Sequence, residues 1–190
     1  VMLPYRSLWS NVLFADEKLY MPEGSRILSL LPLAHMYGFS FEFLYEFCIG
    51  CHLNFLTRVP SPAVIMGALA SVRPNVIIAV PLIIEKVVRG KVFPLLKKKS
   101  MSILLKIPGI NNIIYNSIRK KLYTAFGGAH YEIVVGGAAF SQDVEAFLRR
   151  IKYPYTVGYG MTECGPIICY EDYKKFAKAS CGKQVPRMEV

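Results

Sequence analysis

Long apolar runs are missing from this sequence of 190 residues. The longest one covers residues 76–84 and includes Pro81, whereas a membrane-spanning helix needs roughly 20 apolar residues. The first four residues, Val1 to Pro4, also lack a basic stretch followed by an apolar core, so we expect no signal peptide. These absences predict a cytoplasmic protein, with peripheral attachment to the inner face of the membrane as an open alternative.

Acidic residues are scarce as well. Lys and Arg together number 23 against 13 Asp and Glu, which gives a formal net charge of +10. A surplus of this size favours anionic partners, such as a nucleotide, the phosphates of CoA, nucleic acid or an acidic membrane surface.

The cysteines do not form an even set that could pair fully. Five are present, and an odd number without an export signal is typical of reduced thiols in a cytosol. Cys48, Cys51 and His52 match the Cys-x-x-Cys-His string of haem attachment. An apolar helix that ends at Gly50, followed by a strand, explains the same residues, so we expect neither haem nor zinc there.

Helical and strand-like segments alternate along the rest of the chain. Strands are predicted at residues 27–31, 51–56, 75–80, 131–135 and from 155 onwards, and helices at 4–18, 37–47, 62–72, from 81 and at 142–151, with Ser61 and Ser141 as N-caps. This alternation predicts one α/β domain over residues 1–190, with a mostly parallel β-sheet flanked by helices. Ligands collect at the carboxyl ends of strands in such sheets. Three loops meet that criterion, at His35, at residues 136–139 and at residues 158–163.

Residues 85–121 interrupt this alternation as a basic, apolar and helical insert. Glu85 is their one acid, and the segment carries ten basic residues interleaved with apolar ones: Lys86, Arg89, Lys91, Lys97, Lys98, Lys99, Lys106, Arg119, Lys120 and Lys121. Basic heads beside apolar residues suit an anionic membrane surface. A pair of solvated amphipathic helices joined at Pro108 and Gly109 explains the pattern equally well. We do not expect nucleic-acid binding, because no reader motif or aromatic stacking platform accompanies the charge.

The loop at residues 158–163 has the composition of a ligand edge. Glycine allows close approach of a ligand to the backbone, and Tyr159 can lie on a planar group. Thr162 can donate a hydrogen bond to a phosphate, and Glu163 offers a hard oxygen ligand for Mg²⁺. A strand that ends in a plain glycine-rich turn is the alternative interpretation.

Three segments, in this order, resemble motifs of the AMP-forming acyl-adenylate enzymes. The segment 31–39 (Leu-Pro-Leu-Ala-His-Met-Tyr-Gly-Phe) is similar to the family's Pro-x-x-His-x-x-Gly segment. The segment 135–139 (Val-Gly-Gly-Ala-Ala) is similar to its adenine loop, and 159–163 (Tyr-Gly-Met-Thr-Glu) to its adenine and Mg²⁺ motif.

The resemblance implies roles for individual residues. His35, Thr162 and Glu163 would be catalytic, with Glu163 also holding Mg²⁺. The nucleotide would contact the two loops through the following residues: Gly137, Ala138, Ala139, Gly158, Tyr159, Gly160, Met161 and Thr162. The acyl pocket would be formed by His35, Met36, Phe39 and Gly136.

The activity implied is the ATP-dependent conversion of a carboxylate to acyl-AMP and then to acyl-CoA. The surroundings of His35 and the basic insert resemble the long-chain fatty acyl-CoA synthetases, so fatty acid, ATP and CoA are the expected substrates. Aryl or amino acids remain alternatives, the latter with Glu42 or Glu46 as the amine ligand, and so does a lipid-surface module without catalysis. The family's phosphate loop would precede Val1 and its lysine-bearing domain would follow Val190, so we expect a central fragment of the large N-terminal domain, inactive alone.

Overall fold

The fold was obtained as a computed structural model, which describes residues 1–188. The helices are α1 (Tyr5–Lys18), α2 (Met36–Phe39), α3 (Tyr45–Cys48), α4 (Pro62–Val72), α5 (Pro81–Val87), α6 (Phe93–Leu96), α7 (Lys99–Leu104), α8 (Ile110–Ala125) and α9 (Gln142–Arg150). The strands are β1 (Arg26–Ser29), β2 (His52–Phe55), β3 (Val76–Ala79), β4 (Glu132–Val135), β5 (Tyr155–Val157), β6 (Tyr159–Gly160), β7 (Ile167–Tyr170) and β8 (Lys183–Gln184). Among the helices so described, none is long and apolar enough to cross a membrane.

Parallel pairing dominates the sheet. Strand β1 pairs with β2, and β4 lies between β3 and β5, all in parallel. The amide of Asn75 donates to the carbonyl of Arg26 over 2.8 Å, which joins the start of β3 to the start of β1. Every residue of β3 and β4 is buried, as expected for parallel strands covered on both faces. The predicted α/β fold with a mostly parallel sheet is confirmed.

Alternate residues of β3 enter two separate apolar cores. Ile77 and Ala79 pack in a core with side chains of α4, α5, α8 and α9. Val76 and Ile78 pack on the opposite face, in a core with side chains of α1 and of the helical segment that contains Phe41. Helices therefore cover both faces of the sheet, and the carboxyl edge of the strands stays open for ligands.

Several predicted elements differ in detail. The helix predicted at residues 37–47 consists of α2 and α3 joined by a π-helical turn, Ser40–Leu44. In the basic insert, the pair joined at Pro108 and Gly109 is α7 and α8, and a second π-helical turn, Val88–Val92, connects α5 to α6. The antiparallel sheet of β6, β7 and β8 was not predicted. Such short strands carry little periodicity, and their pairing depends on contacts distant in sequence.

The two predicted serine caps have different outcomes. Ser61 caps α4 as expected, because its hydroxyl accepts a hydrogen bond from the Val64 amide over 3.2 Å. Ser141 occupies the N-cap position of α9, but its side chain makes no capping bond. Its amide donates instead to the carboxylate of Glu85 over 3.0 Å. The prediction of a capping hydroxyl at Ser141 was therefore wrong, and a carboxylate from α5 holds this helix start in its place.

Candidate active site

The three predicted loops meet around one cavity at the carboxyl edge of the sheet. His35 follows β1, Gly136 and Gly137 follow β4, and Gly158 follows β5. Together with residues 159–162 they line a cavity of about 140 Å³. Its remaining walls are mainly apolar and come from Phe14, Leu19, Tyr37, Phe41, Ile78, Val134, Pro166, Ile167 and Tyr170. The cavity lining thus combines polar side chains, such as those of His35 and Thr162, with mainly apolar ones. This combination suits a ligand with a polar head and an apolar body.

A second cavity, of about 460 Å³, shares part of this wall. Gly137 and residues 158–160 line both cavities, and Ala138 and Ala139 line the second one only. Tyr159 is 51% exposed, so its ring is not buried in the core and is available to a ligand. The two loops that were predicted to flank a nucleotide base therefore border the same space.

Two glycines of these loops are required by the backbone. A Cβ added to Gly160 would lie 2.2 Å from the carbonyl oxygen of Pro166, far inside contact distance. Gly137 has a φ of +83°, a conformation that L-residues rarely adopt. These positions keep the backbone of both loops close to the cavities, as the sequence interpretation required.

His35 combines a structural contact with a free ring edge. Its Nδ1 accepts a hydrogen bond from the Tyr37 amide over 3.2 Å, and the residue caps α2. An accepting Nδ1 carries no proton, so in the neutral ring the proton resides on Nε2. The residue is exposed at the cavity, and Nε2 is therefore available as a donor to a ligand.

The apolar wall beside His35 includes two aromatic residues of the segment that follows it. Met36 and Phe39 do not line the cavity, whereas Tyr37 and Phe41 do. The Tyr37 hydroxyl donates to the carbonyl of Val134 over 3.0 Å, and its burial raises the pKa of this phenol far above the usual range. Residues four apart share one helix face, so the spacing of Tyr37 and Phe41 was the sequence signal for this wall.

Glu163 follows Thr162 directly but does not line the first cavity. It belongs to a short 3₁₀ segment, Thr162–Cys164, and is exposed. Thr162 lines the first cavity, whereas Glu163 lines a third one, of about 390 Å³, whose polar walls include Arg6, Ser7, Ser10, Asn11 and Arg187. The two neighbouring residues therefore line different cavities.

The donor set around Glu163 fits Mg²⁺ only if a phosphate takes part. Within residues 1–188, no group of three or more His, Cys, Asp or Glu side chains could hold a metal ion. Mg²⁺ is typically bound by one or two carboxylates together with waters and substrate phosphates. A single exposed carboxylate beside the cavities is compatible with that mode and incompatible with a metal centre built from protein ligands alone.

Glu42 and Glu46 do not reach the cavity as ligands for a substrate amine. The Glu42 carboxylate accepts hydrogen bonds from the amides of Leu30 and Leu31 and from the Ser29 hydroxyl. Burial raises the pKa of Glu42 to about 7. Glu46 is 0% exposed, and neither of its oxygens has a hydrogen-bond partner within the described part of the chain. Glu42 fixes the turn that leads to His35, which sequence reasoning did not foresee.

The fold and the site define a class of protein: an α/β domain whose ligand site lies at the carboxyl edge of a parallel sheet, between glycine-rich loops. A family model described as AMP-binding enzyme matches residues 1–190. The chain belongs to this family of AMP-binding enzymes, as the three motifs predicted.

The curated relatives that this chain resembles include fatty-acid ligases of fungi. The chain is 30% identical over 161 residues to long-chain-fatty-acid–CoA ligase 1 of Saccharomyces cerevisiae. This match covers 76% of this chain and 23% of the yeast protein. It is 32% identical over 161 residues to long-chain-fatty-acid–CoA ligase 2 of Schizosaccharomyces pombe. That match covers 72% of this chain and 22% of the S. pombe protein. The match therefore spans less than a quarter of the length of these relatives.

Solved structures of CoA ligases share the fold. A benzoate CoA ligase from Burkholderia xenovorans superposes with a TM-score of 0.68 at 18% identity, over 96% of this chain and 32% of that one. An o-succinylbenzoate coenzyme A synthetase from Bacillus subtilis, in complex with ATP and magnesium ion, gives a TM-score of 0.67 at 18% identity. The superposition covers 98% of this chain and 32% of the synthetase chain. At this identity the likeness establishes the fold alone.

Proposed function

We propose that this chain forms part of an enzyme that activates a long-chain fatty acid with ATP and transfers the acyl group to CoA. The observation that carries the proposal is the meeting of His35, Gly136–Gly137 and residues 158–162 around one cavity. The fungal relatives are named for fatty acids, which supports this substrate class. The apolar body of the cavity supports it as well.

Each loop has one task in the proposed reaction. The adenine ring lies between Tyr159 and the wall of Gly137, Ala138 and Ala139, where stacking on the exposed phenol ring stabilises a planar base. Thr162 donates its hydroxyl to the α-phosphate. Glu163 would hold Mg²⁺ together with the phosphates, and a metal ion bound there would neutralise part of their charge.

The chemistry consists of two displacements. The carboxylate attacks the α-phosphorus of ATP, a bond to oxygen forms, and pyrophosphate leaves. The thiol of CoA then attacks the acyl carbon, and AMP leaves. Negative charge grows on the oxygens of the phosphate in the first step and on the acyl oxygen in the second. Donors fixed in advance, such as Nε2–H of His35 and the Thr162 hydroxyl, stabilise these charges without reorganisation.

Pyrophosphate release by the full-length protein tests this function. With ATP and Mg²⁺, we expect release to depend on hexadecanoate, to exceed that with benzoate or phenylalanine, and to stop when Mg²⁺ is chelated. Acyl-CoA should accumulate once CoA is added. Absence of carboxylate-dependent release with the whole panel would contradict the proposal.

An aryl carboxylate is the second candidate substrate, because aromatic rings dominate the deep wall of the cavity. The centroids of Phe14 and Tyr170 are 5.6 Å apart, and those of Tyr37 and Phe41 are 6.2 Å apart. A compact chamber of about 140 Å³ with such walls suits a flat ring as well as a folded acyl chain. Release that depends on benzoate but not on hexadecanoate would select this candidate.

His35→Asn separates the capping role from the catalytic role. Asparagine is a good N-cap, so the fold should keep its melting temperature within about 2 °C. It lacks the imidazole donor, so kcat for pyrophosphate release should fall roughly 100-fold. His52→Asn, a change at a histidine that does not line the cavity, is the matched control. Full activity of His35→Asn would remove His35 from the reaction.

A further inference from the structure

The middle of the basic insert forms an exposed tip, defined here as residues 97–113, that the proposed reaction does not use. Four large apolar side chains in this tip are exposed: Ile103 at 64%, Leu104 at 39%, Ile107 at 40% and Ile113 at 70%. Helix α7 buries none of its residues, so this part of the insert is not held in the core. Most large apolar side chains elsewhere belong to the two cores. Exposure of four within eleven positions marks a surface that is suited to contact something apolar.

The insert is attached to the core on both sides of the tip: Val88 and Val92, which precede the tip, are buried in the core. Helix α8 buries Ile118 and Leu122, both in its second half. Ile113, in its first turns, points away from the core. The tip is therefore carried on an anchored helix, which presents the apolar residues without disturbing the sheet or the cavities.

The charge around these apolar residues has one sign. Lys97, Lys98, Lys99 and Lys106 are all exposed, and none of them forms an ion pair within the described residues. No Asp or Glu occurs between residues 86 and 131. The tip thus combines an unpaired positive charge with exposed aliphatic side chains.

We propose that this tip docks on an anionic lipid bilayer. The lysines would attract acidic headgroups, and the aliphatic side chains would enter the boundary between headgroups and acyl chains. A second copy of the chain is a poor partner, since four lysines would face four lysines. Nucleic acid is also a poor partner, because residues 97–113 contain no Phe, Tyr or Trp on which a base could stack. The proposal stands apart from the reaction and does not depend on it.

Co-sedimentation of the purified protein with vesicles tests the docking. We expect binding to vesicles of phosphatidylcholine with 30% phosphatidylglycerol, weak binding to pure phosphatidylcholine, and release as salt screens the charge. In the tip, Lys98→Gln/Lys99→Gln should lower the partition coefficient about 25-fold, the value expected for two lysines near an acidic surface. Lys120→Gln/Lys121→Gln removes the same charge from the anchored half of α8 and is expected to lower it less than fivefold.

The apolar contribution needs its own pair of variants. Ile103→Ser/Ile113→Ser leaves the charge unchanged and should lower the partition coefficient at least tenfold. Val59→Ser, which changes another exposed aliphatic residue outside the tip, should leave it unchanged. Circular dichroism should show the wild-type fold in all variants, since every altered side chain is exposed. Equal binding to neutral and anionic vesicles, equal loss in both lysine pairs, or preference for poly-uridylate over anionic vesicles would each overturn the proposal.

Discussion

Glu46→Gln is expected to make the protein more stable at pH 8, by roughly 4 kcal/mol relative to the wild type, and to change its stability little near pH 4. The cause is the position of Glu46, which is fully buried on α3 without a hydrogen-bond partner for either oxygen among residues 1–188. Burial raises the pKa of this carboxyl from its ordinary value of 4.5 to about 8, and the negative charge of Glu42 one helical turn away acts in the same direction.

The sign of the pH effect follows from proton binding. Below about pH 4.5, Glu46 is protonated in both the folded and the unfolded chain, so its contribution is constant there. Between that pH and about 8, the unfolded chain loses the proton while the folded chain keeps it, so stability declines as the pH rises. Glutamine has nearly the same shape and carries no titrating proton. The stability of the variant therefore does not show the part of the decline between pH 4.5 and 8 that Glu46 causes.

Urea unfolding at pH 4.5, 6 and 8 measures the effect as a difference between wild type and variant. The charge of Glu42 is coupled to that of Glu46, so Glu42 contributes to the measured difference. Taking the difference cancels the contribution of Glu132, whose pKa burial also raises to about 7. It also cancels His130, whose pKa burial lowers to about 4. The control is Glu23→Gln, which makes the same chemical change at an exposed carboxyl. Parallel curves for wild type and Glu46→Gln would show that Glu46 does not hold a proton in the fold.

Glu42 and Glu46 also illustrate what local sequence patterns miss. Two acids in an apolar helix suggest ligand contacts or exposed positions when only the sequence is considered. Their burial depends on the turn after β1, whose amides at Leu30 and Leu31 need an acceptor, and on packing against α1. Such contacts join residues far apart in sequence, and no periodicity records them.

The parallel sheet, in contrast, was predictable from short segments. The run at residues 75–80 lies between two prolines, and the run at 131–135 ends at a glycine. Each forms a buried strand close to its predicted limits. Because the carboxyl ends of parallel strands share one edge, the meeting of their loops followed from the fold class. The π-helical turns did not, since they arise where one extra residue is accommodated in a helix and leave no compositional signal.

The cavity wall was predicted only in part for a similar reason. The motif identified His35 and the glycines, but which of the neighbouring aromatic residues face the cavity depends on the phase of the helix. Tyr37 and Phe41, four residues apart on one helix face, line this cavity, and Met36 and Phe39 of the same segment do not. The assignment of Met36 and Phe39 to an acyl pocket stays a prediction.

Gly160→Ala is expected to lower the free energy of unfolding by about 3 kcal/mol and to weaken ATP binding at least 100-fold in the full-length protein. The added Cβ would lie 2.2 Å from the carbonyl oxygen and 2.8 Å from the carbonyl carbon of Pro166, both of them backbone atoms that cannot rotate away. The same Pro166 oxygen accepts a 2.8 Å hydrogen bond from the Met161 amide, so relief of the clash breaks the pairing of β6 with β7.

ATP binding should weaken because the displaced segment includes Tyr159, Gly160 and Thr162. All three residues line the first cavity. Thermal unfolding and titration with ATP measure the two effects separately. The matched control is Gly67→Ala in α4, where an added Cβ meets no atom within 4 Å. There, alanine should stabilise the helix by about 0.5–1 kcal/mol and leave ATP binding unchanged. If Gly160→Ala matched this control in both measurements, the close approach of β6 to Pro166 would not exist in solution. The inference that this contact positions residues 159–162 would then have to be abandoned.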